Sequence, residues 1–131
     1  MSQSTSSAYV TSPRPGETTW IWLIKIVTGP LLILLLILHL IVNHYIGSLP
    51  SGLMTYDDIV QYYQNPIIPV IEILFLATVV THSLIGLRGI ILDMNPSRTI
   101  LTVVNWFFSA LGIFSVAYGI WLAWAIASKG G

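Results

Sequence analysis

Three long hydrophobic stretches run through this chain, separated by short polar segments. They cover approximately residues 20–43, 66–93 and 99–127. A helix of about twenty residues crosses a hydrocarbon core about 30 Å thick, because each residue adds about 1.5 Å. The pattern therefore predicts an all-α membrane protein with three transmembrane helices.

The polar segments predict an arm and a surface helix. Residues 1–18 are rich in Ser, Thr and Pro and have no apolar stretch, which is typical of an irregular arm rather than a signal peptide. In the first loop, Thr55 precedes two acidic residues, Asp57 and Asp58, as a helix cap does. We therefore expect a polar arm at 1–18 and a single three-helix domain at 19–131, with a short surface helix near 56–64.

The few cations indicate how the chain is oriented. On one side of the predicted membrane lie Arg14, Lys25, Arg88 and Arg98. The first loop, on the other side, has no Lys or Arg. By the positive-inside rule, the N-terminus is cytoplasmic and the C-terminus is outside. Asp93 is then expected at the inner interface.

Composition excludes several classes of function. The chain of 131 residues is 55% hydrophobic and 8% charged, with a mean hydropathy of +0.83, so it is not an ordinary soluble domain. It has no net charge and no basic tract, so nothing indicates nucleic acid as a partner. It also has no cysteine, and any Cys-ligated iron–sulfur cluster must therefore belong to another subunit.

The second hydrophobic stretch carries residue types that suit a cofactor. Four of them are His82, Gly86, Gly89 and Asp93. Around the axis of a helix they lie at about 0°, 40°, 340° and 20°, respectively, and therefore form one narrow stripe. Glycine lets a flat ring approach the backbone, and imidazole is a standard axial ligand of haem iron. We therefore predict haem ligation by His82, with room for the ring at Gly86 and Gly89. The alternatives are a histidine that only bonds a neighbouring helix and glycines that only allow close helix packing.

Two motifs on the first two helices resemble those of a known family. They are Lys25-x2-Thr28-Gly29 followed by His39, and His82-x3-Gly86-Leu87-Arg88-x4-Asp93. The second motif is similar to the membrane-anchor subunits of succinate dehydrogenase and fumarate reductase, the respiratory complex II family. The first motif looks like the smaller of the two anchors, the D-type anchor, in its bacterial form. The resemblance covers all three predicted helices.

The resemblance implies a role for each residue of the second motif. His82 would be an axial ligand of a haem b shared with the other anchor. Arg88 would lie near the haem propionates or the quinone, although it could instead reach the inner headgroups. Asp93 would border the quinone pocket, facing the iron–sulfur subunit. Several relatives have a tyrosine after this aspartate, whereas this chain has Met94.

The resemblance also implies that His39 is a possible ligand of a second haem, because family members with two haems take histidines from the first and second helices of each anchor. Counted along each helix, His39 differs from His82 by roughly 10 Å in depth, so the two histidines cannot both face one iron. Asn43, one turn further on, would orient its ring. The alternatives are a helix-to-helix hydrogen bond and an empty distal pocket, so one haem or two remain open. Glu72, in the same outer half, is either an interfacial carboxylate or a proton-relay group.

Taken together, the resemblance implies an anchor subunit of succinate:quinone oxidoreductase that does not itself act on succinate. The expected partners are a C-type anchor, an iron–sulfur subunit, a flavoprotein subunit, quinone and membrane lipid. No flavin or iron–sulfur cluster is expected in this chain. The alternatives are a haem-free structural anchor of a related fumarate reductase and a cytochrome b subunit of another membrane oxidoreductase. The resemblance favours the bacterial or archaeal cytoplasmic membrane over the mitochondrial inner membrane.

The third hydrophobic stretch carries small residues at helical spacings. They are Ser109, Gly112, Gly119 and Ala123. Small residues allow two membrane helices to approach closely. We therefore expect this stripe to pack against the second anchor.

Overall fold

The computed structural model describes residues 17–46 and 55–130, and that part of the chain is helical without any strand. Its helices are α1 (Thr19–Ile46), α2 (Tyr56–Tyr62), α3 (Ile67–Asp93) and α4 (Arg98–Ala127), followed by a 3-10 turn at Ser128–Gly130. Helices α1, α3 and α4 are long and apolar enough to cross a membrane. The prediction of three transmembrane helices is confirmed. Most of the predicted arm lies outside the described residues.

The short helix α2 begins at a capping box. The Thr55 hydroxyl accepts a hydrogen bond from the backbone N–H of Asp58, and the Asp58 carboxylate accepts one from the backbone N–H of Thr55. The Thr55 hydroxyl also donates to the Asp58 carboxylate, and this hydrogen bond, followed by the one from the Thr55 backbone, lowers the pKa of Asp58. The helix ends two residues before the predicted boundary.

Helix α2 sits across one end of the bundle. The side chain of Gln64 donates to the carbonyl of Ala127 at 3.2 Å, and the Lys129 ammonium lies 5.7 Å from the centre of the Tyr56 ring. These contacts hold α2 beside the end of α4. Following the charge distribution, we call this the outer end and the opposite end, which carries Asp93, the inner end.

Helix α3 lies between α1 and α4 and contacts both. Small residues of α4 make its contact with α3 close. A Cβ atom at Gly112 would lie 3.1 Å from Leu84, and one at Gly119 would overlap Leu76. The small-residue stripe at these positions therefore packs against this chain's own α3, because leucine side chains fill the space that the glycines leave. The expectation that the stripe packs against the second anchor is wrong at Gly112 and Gly119.

Few side chains are buried within the described part of the chain. They are Leu35, Tyr62, Ile68, Thr78 and Ala123. Large apolar side chains cover the outward faces of all three long helices. A surface of this kind is stable against lipid or against other membrane helices, but not against water.

Candidate functional site

His82 lies in the interface between α1 and α3. Its Nδ1 atom is 3.0 Å from the hydroxyl oxygen of Thr28, and its Cε1 atom is 3.6 Å from the place where a Cβ atom of residue 29 would be. A Cβ atom at residue 29 would therefore be in ordinary van der Waals contact with the ring edge. The Thr-Gly pair of the first motif and the histidine of the second motif form one structural unit.

The predicted stripe on α3 has open space near its histidine. No atom lies within 4 Å of a Cβ atom placed on Gly86, one turn from His82 towards the inner end. Gly89 is buried, and the exposed Asp93 is the last residue of α3. An imidazole with one nitrogen already bonded, one turn from an open position on the same stripe, suits an axial haem ligand.

Arg88 lies on another face of α3. Its Nε atom donates to the side-chain oxygen of Asn105 at 2.8 Å, at the edge of a groove of about 740 Å³ between α3 and α4. Arg88 is about 240° around the helix from His82. The structure therefore does not bring Arg88 onto the stripe of His82, Gly86 and Asp93.

Lys25, the basic residue of the first motif, is held in an ion pair. Its ammonium is 2.7 Å from the carboxylate of Glu17, whose side chain is only 1% exposed. Lys25 lies one turn before Thr28 on α1, towards the inner end. Its charge is therefore neutralised by the segment that leads into the membrane.

His39 belongs to a polar cluster nearer the outer end. Its Nδ1 atom is 3.0 Å from the Glu72 carboxylate, and its ring stacks on Phe75 with centroids 4.8 Å apart. The Asn43 amide donates to the backbone oxygen of His39 at 2.8 Å and to Glu72 at 3.4 Å. The Asn43 amide nitrogen is also 3.2 Å from Nδ1 of His39, as expected, but Glu72 is the closer polar partner of the imidazole. His44, in contrast, is exposed.

Tyr62 of α2 reaches the neighbourhood of this cluster. Its side chain is only 9% exposed, and its hydroxyl has no hydrogen-bond partner of acceptable geometry among the described residues. Desolvation, followed by the negative charge of Glu72, raises the pKa of Tyr62 to about 12. Desolvation and Glu72 also raise the pKa of Tyr63. The phenols therefore remain neutral beside the carboxylate.

The two histidines occupy separate levels of the bundle. Thr28 and His39 are about three turns apart on α1, and Glu72 and His82 are also about three turns apart on α3, which corresponds to about 15 Å. This difference in depth is larger than the 10 Å expected from counting residues along each helix. The contacts between α1 and α3 pair residues of the two helices, so they give the difference directly. Within the described residues, no three His, Cys, Asp or Glu side chains form a metal-binding group. Neither histidine therefore belongs to a metal site that the described residues complete by themselves.

Sequence analysis had missed three features of these sites. It did not identify the bond from Thr28 to His82, the direct contact of Glu72 with His39 or the burial of Tyr62. A sequence pattern indicated the first two contacts, because equally spaced polar residues on antiparallel helices fall opposite each other. The burial of Tyr62 was indicated less strongly, by its helical spacing from Ile59.

The fold and these sites define a three-span membrane protein with polar, histidine-centred contacts at two depths. Comparison with known families then identifies it more closely. The family described as succinate dehydrogenase/fumarate reductase transmembrane subunit matches residues 3–119, and the chain belongs to this family. The predicted family is confirmed.

A curated relative agrees with this assignment. The succinate dehydrogenase hydrophobic membrane anchor subunit of Archaeoglobus fulgidus is 29% identical over 105 residues, which cover 80% of this chain and 87% of the relative. No solved structure matches the chain significantly. The chain is therefore a membrane-anchor subunit of a multisubunit complex and a multi-pass protein of the cytoplasmic membrane.

Proposed function

We propose that this chain is the D-type anchor of a succinate:quinone oxidoreductase, sharing a haem b with a C-type anchor and forming part of a quinone site. The flavoprotein and iron–sulfur subunits would dock at its inner end. The observation that carries the haem assignment is the setting of His82, whose Nδ1 atom contacts Thr28 and which lies one turn from the open position at Gly86.

The chain's own contribution is to hold and orient groups. His82 would hold the haem iron through Nε2, and its contact with Thr28 of α1 fixes the direction of the ring. When bound, the haem would carry single electrons, while the protein would control its position and electrostatic surroundings. The other anchor would supply a further ligand.

The quinone site is proposed at the inner end. Asp93 ends α3 there and relays protons from the cytoplasmic side to the quinone. Arg88 is about 240° away from His82 on α3, so its position favours contact with the quinone over contact with the propionates of a haem on His82. The Met94 side chain cannot donate a hydrogen bond, so the donors to the quinone carbonyls would be Arg88, a water held by Asp93 or a tyrosine of the other anchor.

A second haem is favoured by the surroundings of His39. Metal-binding histidines commonly donate their other ring N–H to a carboxylate, and His39 has Glu72 in this position. Phe75 covers one face of the ring. The competing interpretation is that this pair only ties α1 to α3, as in a haem-free structural anchor.

Spectroscopy of the purified complex tests the first haem. We expect His82→Ala to abolish or strongly shift the b-type absorption in a reduced-minus-oxidised spectrum, with the chain still inserted and assembled. His44→Ala is the matched control, because His44 is exposed, and it should leave the spectrum unchanged. A normal haem content and spectrum in assembled His82→Ala would refute the assignment.

A further inference from the structure

The hydroxyl of Thr28 has three neighbours that restrict where its hydrogen can lie. Its oxygen is 2.7 Å from the backbone carbonyl of Ile24, 3.3 Å from that of Lys25 and 3.0 Å from Nδ1 of His82. A carbonyl oxygen can only accept, so the short contact with Ile24 requires the hydroxyl hydrogen. The Thr28 oxygen is then left to act as an acceptor.

This arrangement decides which nitrogen of His82 carries the ring hydrogen. Because Thr28 has no second hydrogen to donate, Nδ1 must be the donor in the contact between them. A neutral imidazole with hydrogen on Nδ1 has its lone pair on Nε2. The other tautomer would leave two acceptors facing each other at 3.0 Å.

We propose that Thr28 is a positioning residue for the haem: it holds His82 in the Nδ1–H tautomer, aims Nε2 as a ligand and tunes the midpoint potential of the iron. This inference rests on the proposed haem ligation by His82. Accepting a hydrogen bond from Nδ1 makes the imidazole a stronger electron donor. A stronger donor stabilises ferric iron over ferrous iron and therefore lowers the midpoint potential.

Valine at position 28 isolates this effect. Thr28→Val keeps nearly the same shape but removes the acceptor, whereas Thr28→Ser keeps the hydroxyl. Thr78→Val is a matched control, because the Thr78 hydroxyl also donates to a carbonyl four residues earlier, that of Leu74, at 2.8 Å. Haem content, midpoint potential and the EPR spectrum of the ferric haem would be measured in the purified complex.

We expect a more positive midpoint potential and an altered EPR spectrum in Thr28→Val. Values close to the wild type are expected in Thr28→Ser and Thr78→Val. Loss of haem in Thr28→Val alone, with haem retained in the other two variants, would also support the proposal, since the wrong tautomer blocks Nε2.

Two results would overturn the inference. One is a wild-type potential and EPR spectrum in Thr28→Val. The other is equal loss of haem in Thr28→Val and Thr28→Ser, which would indicate that only packing matters. His82→Ala separates this failure from failure of the proposed function: loss of haem there, with an unaltered Thr28→Val, rejects only the role of Thr28. Haem retained in His82→Ala rejects both.

Discussion

Bulk at Gly86 should remove haem without disturbing the fold of this chain. No atom lies within 4 Å of a Cβ atom at this position, so an added methyl group makes neither a contact nor a clash. Gly86→Ala should therefore change the stability only through helix propensity, which favours alanine by about 1 kcal/mol. Gly86→Leu should also leave α3 folded, but its side chain would occupy the space proposed for the haem ring.

Gly119→Ala provides the comparison within the same chain. Its Cβ atom would overlap Leu76, and overpacking of this kind costs about 1–3 kcal/mol, offset by about 1 kcal/mol of helix propensity. We thus expect up to about 2 kcal/mol of net destabilisation, with haem content following stability. Thermal unfolding, haem per complex and recovery of the second anchor would be measured for all three variants.

The Gly86 prediction has a clear contrary outcome. Normal haem content in assembled Gly86→Leu would show that the open space does not receive the ring. Loss of the second anchor together with haem would indicate that a helix, rather than a cofactor, fills this space.

Three further predictions concern the quinone, the outer cluster and α2. Asp93→Leu and Arg88→Leu should slow quinone reduction while succinate oxidation with a soluble dye stays near normal, and equal loss in both assays would indicate failed assembly instead. If the complex holds two haems, His39→Ala should remove one of them in a haem assay, whereas a single haem that survives this change would eliminate the second centre. The raised pKa of Tyr62 means that the folded state holds the phenol proton more tightly than the unfolded state does. The resulting contribution to the free energy of unfolding is complete below the ordinary pKa of 10 and is lost as the pH rises towards about 12. In Tyr62→Phe the alkaline loss seen in unfolding measurements should shrink to the part that Tyr63 contributes. The free energy of unfolding at neutral pH should rise by about 1 kcal/mol, because a buried hydroxyl without a partner is removed. An unchanged alkaline loss would contradict this reasoning.

The fold was largely predictable from the sequence because each signal was local. The length of the apolar stretches predicted α1, α3 and α4, and the Thr55 cap predicted the start of α2. The stripe from His82 to Asp93 also needed only the period of one helix. Signals of this kind do not depend on how the helices pack.

Contacts between helices were less accessible, because they depend on packing. The glycines of α4 indicated close approach, but their spacing does not say which helix approaches, and the partner proved to be α3 of the same chain. The burial of Tyr62 depends on where α2 docks, which no local pattern specifies. The separation of Arg88 from His82, in contrast, was predictable from the sequence, because the spacing of the two residues on α3 places them on different faces of the helix.

The two polar contacts between α1 and α3 also set the alignment of these helices. Sliding one helix along the other by a single turn, about 5.4 Å, would break the contact of Thr28 with His82 and that of His39 with Glu72 at the same time. The apolar side chains around them tolerate such a slip far better, because hydrophobic contacts are not directional. This chain's own side chains therefore fix the vertical register of α1 against α3, and the histidine at each level is positioned by contacts within this chain.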